Sequence, residues 1–495
     1  MNTGLAFTAM LPEHILLLGI VLLLLLEIAG AAKRVALLVG VGAVAAAGGV
    51  ALWMCSTGFS GIPFPGQFSV AHDSLAAKSI VLLLAVPVLL MSRDDFEGAE
   101  FPALILSSLY GVCLLISSDS FLTMFLGLEL MSLPVYTLVL LAYRRVQSAE
   151  AALKYLVLSG AASAMFLMGV SLLFGISGST EISTFTNALL APDIMSRAAV
   201  TLILLAFFLK GAVVPFHAWA PDAYEGASVP VTAYMATIVK AGVLFAVVRL
   251  FADVPVVSPI RELVAIFPLL SIVWGNIAAI KQQSFRRMMG YSSIAHAGYM
   301  FYALLGAGEG RMQAVTYYVL TYGVLNVLAF AALPNHPVDA ERDRLDTLKG
   351  LWHRNPFSAV MIAVAMLSLS GLPPFPGFVA KFLIFKNVLA AGYTTYAVIG
   401  LIGSYIGIYF YLRVIQTMFM SAAPAAHVVH GDDVHVGVVI APAPTAPVAV
   451  YGTSAFAHLA AMLCLAATLV LMFLPGWALE RVSAGVGVRA SVGGR

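Results

Sequence analysis

A glutamate, four lysines and two histidines stand where hydrocarbon would be expected. Glu129 lies in FLTMFLGLELMSLPVYTLVLL, Lys210 in TLILLAFFLKGAVVPFHAW, Lys240 in VTAYMATIVKAGVLFAVV and Lys381 in GLPPFPGFVAKFLIF. Lys154 sits nearer the end of its run, and His217 and His296 occupy GAVVPFHAWAP and SSIAHAGYM. A charge at the centre of a bilayer costs at least about 2.5–3.5 kcal/mol. Residues held at that cost need partners inside the protein, and these types point to proton movement. A lysine in water binds its proton too tightly to release it, desolvation loosens it, and a nearby carboxylate tightens it again. A lysine that alternately gains and loses a glutamate partner is therefore a proton switch. The bland alternative for Glu129 and Lys210 is a static buried ion pair. His217 and His296 could carry protons or order water, or serve as satisfied core histidines.

Depth can be read from spacing. Glu129 lies ten residues beyond Asp119, placed at the outer surface, so at about 15 Å, near mid-membrane. Lys210 follows Arg197 and Lys240 follows Val229 by similar intervals. Together with Lys381 these residues are expected to form a polar row in one layer. Lys154 lies close enough to a cytoplasmic end to snorkel. Lys78 and Glu27 lie near span ends and read as structural. Tyr and Ser residues near the lysines are candidates to line a water path, but spacing alone does not rank them.

The elements that must position these groups are membrane helices. Of 495 residues 61% are hydrophobic and 10% charged, where a soluble chain is about half apolar and a quarter charged. Fourteen long apolar runs between residues 12 and 476, without period-two alternation, predict an all-α integral membrane protein of about 14 transmembrane helices. The first run carries Glu13 and Glu27 with no basic start or cleavage site, and reads as a retained helix. Cys55, Cys113 and Cys464 are isolated in apolar runs, with no CxxC, so an iron–sulfur cluster of this chain's own is not expected. No phosphate-binding loop follows a strand, and the net charge of +2 gives no sign of a nucleic-acid partner. His427, His430 and His435 match no standard metal spacing, and 421–453 reads as a flexible cytoplasmic linker. The charged stretch 335–356 reads as a solvated loop or surface helix. Basic residues such as Lys33, Arg34, Arg144, Arg145, Arg286 and Arg287 gather on the face opposite the termini. Both termini are therefore expected outside the cytoplasm, on the periplasmic side.

Two spans are interrupted. GAVVPFHAWAP and GLPPFPGFVA place proline at membrane depth, each beside a lysine. A broken helix in lipid must satisfy its freed carbonyls from protein or water, so it marks a polar interior. Ordinary proline kinks are the simpler alternative. The pattern suggests discontinuous helices 7 and 12 within two inverted five-helix repeats, 100–252 and 257–420. Helices 1–3 precede them in 1–99, and helix 14 with a tail fills 454–495.

At this point LGLELMSLPVYTLVL, AEAALKYLVLSG, LKGAVVPFHAWAPDAYEGASVPVTAYMATIVKAG, RMMGYSSIAHAGYM and LSLSGLPPFPGFVAKF resemble the antiporter-like membrane subunits of respiratory complex I. The resemblance covers about residues 100–420. WAPDAYEGASVPVTAY and Lys381 are similar to the N-type subunits of the bacterial NADH–quinone oxidoreductase; the M and L types usually carry a PDAHTEAPT-like run. The resemblance implies a charge pair at Glu129 and Lys210, a connecting lysine at Lys240, a terminal lysine at Lys381, and a role for Lys154. It implies a proton-translocating subunit of the bacterial inner membrane, carrying no redox centre itself. NADH, FMN, iron–sulfur clusters and quinone would belong to partner subunits, among them further antiporter-like and small hydrophobic chains. A cation/proton antiporter subunit and a membrane scaffold are the alternatives.

Overall fold

The computed structural model describes residues 3–30, 32–96, 98–142, 146–251, 260–306, 308–335, 344–420 and 453–476. The histidines at 427, 430 and 435, most of the 421–453 linker, residues 336–343 and the tail after 476 lie outside the described residues. Short α1 (Thr3–Ala9) leads into α2 (Leu11–Ile28) and α3 (Lys33–Ser56). A two-stranded antiparallel hairpin, β1 (Gly61–Phe64) and β2 (Phe68–Val70), caps the same end of the bundle. Then come α4 (His72–Met91), α5 (Glu100–Ile116), α6 (Phe121–Leu140), α7 (Val146–Ser177) and α8 (Ser183–Leu190). The first broken span is α9 (Ile194–Lys210) and α10 (Trp219–Gly226). The next span joins α11 (Val229–Tyr234), a π turn (Met235–Val239) and α12 (Lys240–Phe251). The second half holds α13 (Ile260–Ala279), α14 (Phe285–Tyr302) and α15 (Gly308–Ala331). A surface turn α16 (Leu351–Arg354) precedes the second broken span, α17 (Pro356–Ser370) and α18 (Pro376–Ala390). Finally α19 (Thr394–Met420) and α20 (Ala455–Phe473) complete the bundle.

Among the described residues, ten helices are long and apolar enough to cross a membrane, and α5 and α17 are shorter apolar helices. The sequence-based count of fourteen also includes spans that the breaks at 211–218 and 371–375 shorten. The expected interruptions beside Pro215 and Pro374 are present. The stretch 335–356 contains α16 and a 3₁₀ turn at Leu345–Leu348.

Burial sorts the helices into centre and rim. Over eighteen-residue windows of Val229–Phe251 and Gly310–Ala331, 100% and 94% of positions are buried, whereas in α2 and α7 the share is 28%. Lys240 thus rides on the innermost helix, and α7 turns one broad apolar face outward. Lipid tails are as apolar as leucine, so close backbone approach and hydrogen bonds bind such helices together. A Cβ on Gly111 of α5 would strike the backbone of Met131 in α6, and one on Gly298 of α14 would lie 2.5 Å from Pro268 O of α13. These approaches fix α6 and α14, which carry Glu129 and His296.

Candidate functional site

The first cluster forms where α9 stops. Asp193 caps the helix by accepting from Ser196 N at 2.8 Å, and that bond holds its carboxyl below the ordinary range. At the other end the chain turns through Gly211 and Ala212, the latter at φ +59. The freed groups find partners: Val213 N donates to Phe208 O at 2.8 Å, Trp219 Nε1 to Leu209 O at 3.0 Å, and Val214 N to Ser271 Oγ at 2.7 Å. Lys210, the last residue of α9, places a cation at a helix C-terminus, where the dipole favours it. Its ammonium donates to Ser159 Oγ at 2.7 Å, Ser132 Oγ at 3.3 Å and Glu129 Oε1 at 3.3 Å. Ser163 of α7 hydrogen-bonds the same carboxylate oxygen. The Lys210 side chain is 4% exposed and that of Glu129 25%, so the pair is buried on the lysine side and partly exposed at the glutamate.

The second half repeats the device. α17 ends at Ser370, Gly371 follows at φ +84, and Gly377 N reaches back to Ser368 Oγ at 3.1 Å. Each break contains a cis X-Pro bond, Val214–Pro215 and Pro373–Pro374. Lys381 of α18 turns back to the end of α17. Its ammonium donates to Ser370 O at 3.0 Å and Ser404 Oγ at 3.2 Å, and lies 5.1 Å from the Tyr299 ring centroid. Here one carbonyl freed by the break and one hydroxyl, rather than a carboxylate, hold the cation.

Between them, Lys240 begins α12 directly after the π turn, a feature common at functional sites. Its ammonium donates to Ser293 O at 2.6 Å and also contacts Ser293 Oγ, which lies 3.0 Å from Tyr224 OH. One residue back on α14, Ser292 Oγ is 2.5 Å from Tyr411 OH. Tyr411 OH is 3.0 Å from His296 Nε2, and Tyr318 OH is 2.7 Å from His296 Nδ1. Groups that exchange hydrogen bonds through hydroxyls can pass protons, because a hydroxyl both donates and accepts.

Lys154 and His217 lie elsewhere. Lys154 is 45% exposed and bridges Glu150 at 2.6 Å and Asp222 at 2.8 Å. Arg287 pairs with Asp222 and Glu225, each at 2.8 Å, and these charges line an open cavity of about 660 Å³. His217 Nε2 accepts from Trp274 Nε1 at 3.0 Å, and Trp274 is half-exposed on the rim. Neither residue touches the Lys210, Lys240 or Lys381 ammonium. The serines 132, 159, 163 and 293, with Tyr318 and Tyr411, were not singled out by sequence. The available signal was helical spacing: Ser132 lies three residues after Glu129, and Ser159 and Ser163 lie four apart on α7.

Residues 118–407 match the family described as NADH:quinone oxidoreductase/Mrp antiporter, TM. NADH-quinone oxidoreductase subunit N of Pelobacter propionicus is 39% identical over 84% of this chain and 89% of its own length. Subunit N 1 of Herpetosiphon aurantiacus is 36% identical over 82% and 85%. A chain of respiratory complex I from Thermus thermophilus superposes with a TM-score of 0.79 at 33% identity, covering 96% of this chain and 100% of that one. A chain of the Mrp complex from Dietzia shares the fold, with a TM-score of 0.83 at 21% identity. With hydroxyl-solvated lysines beside two broken helices and a family match across both, the chain belongs to the NADH:quinone oxidoreductase/Mrp antiporter membrane-subunit family.

Proposed function

We propose that this chain is a proton-translocating membrane-arm subunit of an NADH–quinone oxidoreductase, moving protons from cytoplasm to periplasm while other subunits reduce quinone. The observation that carries the reading is the buried Lys210 ammonium, shared between Glu129 and two serines at the end of a broken helix. While the pair is closed, Glu129 holds the proton on Lys210. When the carboxylate is neutralised or drawn away, burial favours the neutral amine and the proton leaves. Lys240 and Lys381, whose hydrogen bonds among the described residues go to hydroxyls and carbonyls rather than carboxylates, continue the row. His296, hydrogen-bonded to Tyr411 and Tyr318, is close enough to interact electrostatically with both lysines.

In this reading the chain supplies no redox chemistry. NADH, FMN, iron–sulfur clusters and quinone belong to partner subunits, and the chain sits in a bacterial inner membrane with both termini periplasmic. Glu129, Lys210, Lys240, His296 and Lys381 carry protons, and Lys154 and His217 act at the edges. The family also includes antiporter subunits, so the partners decide between the two assemblies. Isolating the chain from its native membrane and identifying the co-purifying subunits tests this. Flavin and iron–sulfur subunits are expected; a set made only of antiporter subunits would overturn the assignment.

A further inference from the structure

Outside residues 100–420 lies a second buried ion pair. Lys78 Nζ of α4 is 2.6 Å from Glu13 Oε1 of α2, and both side chains are 0% exposed. Apart from each other, the ammonium and both carboxylate oxygens have no hydrogen-bond partner among the described residues. The Phe68 ring of the hairpin covers the ammonium at 4.9 Å, and Tyr110 and Cys113 of α5 face the pair. A buried pair repays its desolvation only when further hydrogen bonds satisfy its remaining protons and lone pairs. This one lacks them, which makes it poor as a static clamp. At 2.6 Å the ammonium and the carboxylate are within range of a direct proton transfer along their one contact.

Its position is also particular. Lys78 lies six residues into α4, about 9 Å from the hairpin end of the bundle. Lys240 lies eleven residues from the same end of α12, about 16 Å deep. The pair is therefore between the mid-membrane row and the surface carrying the hairpin. α4 packs against α11 and the π turn before Lys240, and α5 packs against α12, where a Cβ on Gly242 would meet Val112 at 3.2 Å. Tyr234 of α11 is fully buried, and its hydroxyl has no hydrogen-bond partner among the described residues.

We propose that Glu13 and Lys78 form a proton-release station between the lysine row and the hairpin face, a role that rests on the proton-translocating reading above. A proton arriving from the row side binds Glu13, giving a neutral carboxylic acid. Lys78, deprived of its counter-ion, releases one ammonium proton toward the hairpin face. The acid then transfers its proton to the neutral amine, and the ion pair is restored with one proton moved.

The test uses the whole complex in vesicles, with assembly verified for each variant. Glu13→Leu with Lys78→Met removes both charges, so no unpaired charge is left to unfold the site. Lys78→Arg keeps the ion pair and removes the ability to release a proton. Loss of proton uptake per NADH oxidised is expected in both, approaching the loss caused by Lys210→Met. Wild-type uptake in either assembled variant overturns the station and leaves the pair a structural link. If the double variant fails to assemble, Lys78→Arg decides. Absence of uptake by the unaltered complex would instead overturn the proton-translocating reading itself.

Discussion

Lys210 Nζ lies nearer to Ser159 Oγ, at 2.7 Å, than to Glu129 Oε1, at 3.3 Å. The lysine is thus solvated by a neutral hydroxyl on α7 while its carboxylate partner stands slightly apart. A cation held this way keeps its place when the carboxylate changes charge or moves, which is what a switch requires. Ser159→Ala leaves a buried ammonium donor unsatisfied, at a cost of about 1–3 kcal/mol. Slower proton uptake with unchanged assembly is the expected outcome, measured in vesicles. Unchanged uptake would show that the hydroxyl is dispensable.

The second break makes a steric prediction. Gly371 has φ +84, and a Cβ there would lie 2.9 Å from Lys381 Cδ. Gly371→Ala incurs about 1–2 kcal/mol from the left-handed backbone and pushes Lys381 away from Ser370 O. Reduced thermal stability of the subunit together with reduced uptake is expected. Loss of stability with full uptake per assembled complex would separate the break from the lysine's function.

Tyr411 joins His296 to Ser292. Tyr411→Phe retains the ring and removes the hydroxyl, so it should slow proton movement more than it affects assembly. Comparison with Tyr405→Phe, whose ring is 70% exposed on the rim of the same helix, supplies the control. Equal effects of the two substitutions would argue against a relay through His296.

Lys154 should behave differently from Lys210. It is half in solvent with two acidic neighbours, and salt screens such contacts. Lys154→Met is expected to reduce uptake less than Lys210→Met and to make it less sensitive to ionic strength. A loss as complete as that of Lys210→Met would place Lys154 in the main path.

Much of this was legible in the residues. Lysines amid hydrocarbon and prolines at depth report a large desolvation cost and a broken hydrogen-bond ladder, and both can be read from composition alone. The breaks and the burial of Lys240 and Lys381 follow from them, whereas the Glu129–Lys210 contact was implied by the family resemblance. The solvation of the lysines was not legible, because any of many serines and tyrosines could face them, and helix rotation decides which do. Lys78 shows the same limit. Near a span end it reads as structural, yet the hairpin folds over it and buries it fully against Glu13. His217 has the opposite history: it stands beside a break in sequence, but the turn through Ala212 and Pro215 directs it to the rim at Trp274.

Lys210 is expected to gain and lose a proton during turnover. Lys210→Met removes the ammonium that would release the proton and leaves Glu129 without its charge partner. Lys210→Arg keeps the charge and does not release it at working pH. The direct measurement is proton uptake into vesicles per NADH oxidised, in complexes shown to be assembled. A sharp fall in both variants is expected. Wild-type uptake in both would contradict the switch and make Lys210 only a structural partner of Glu129.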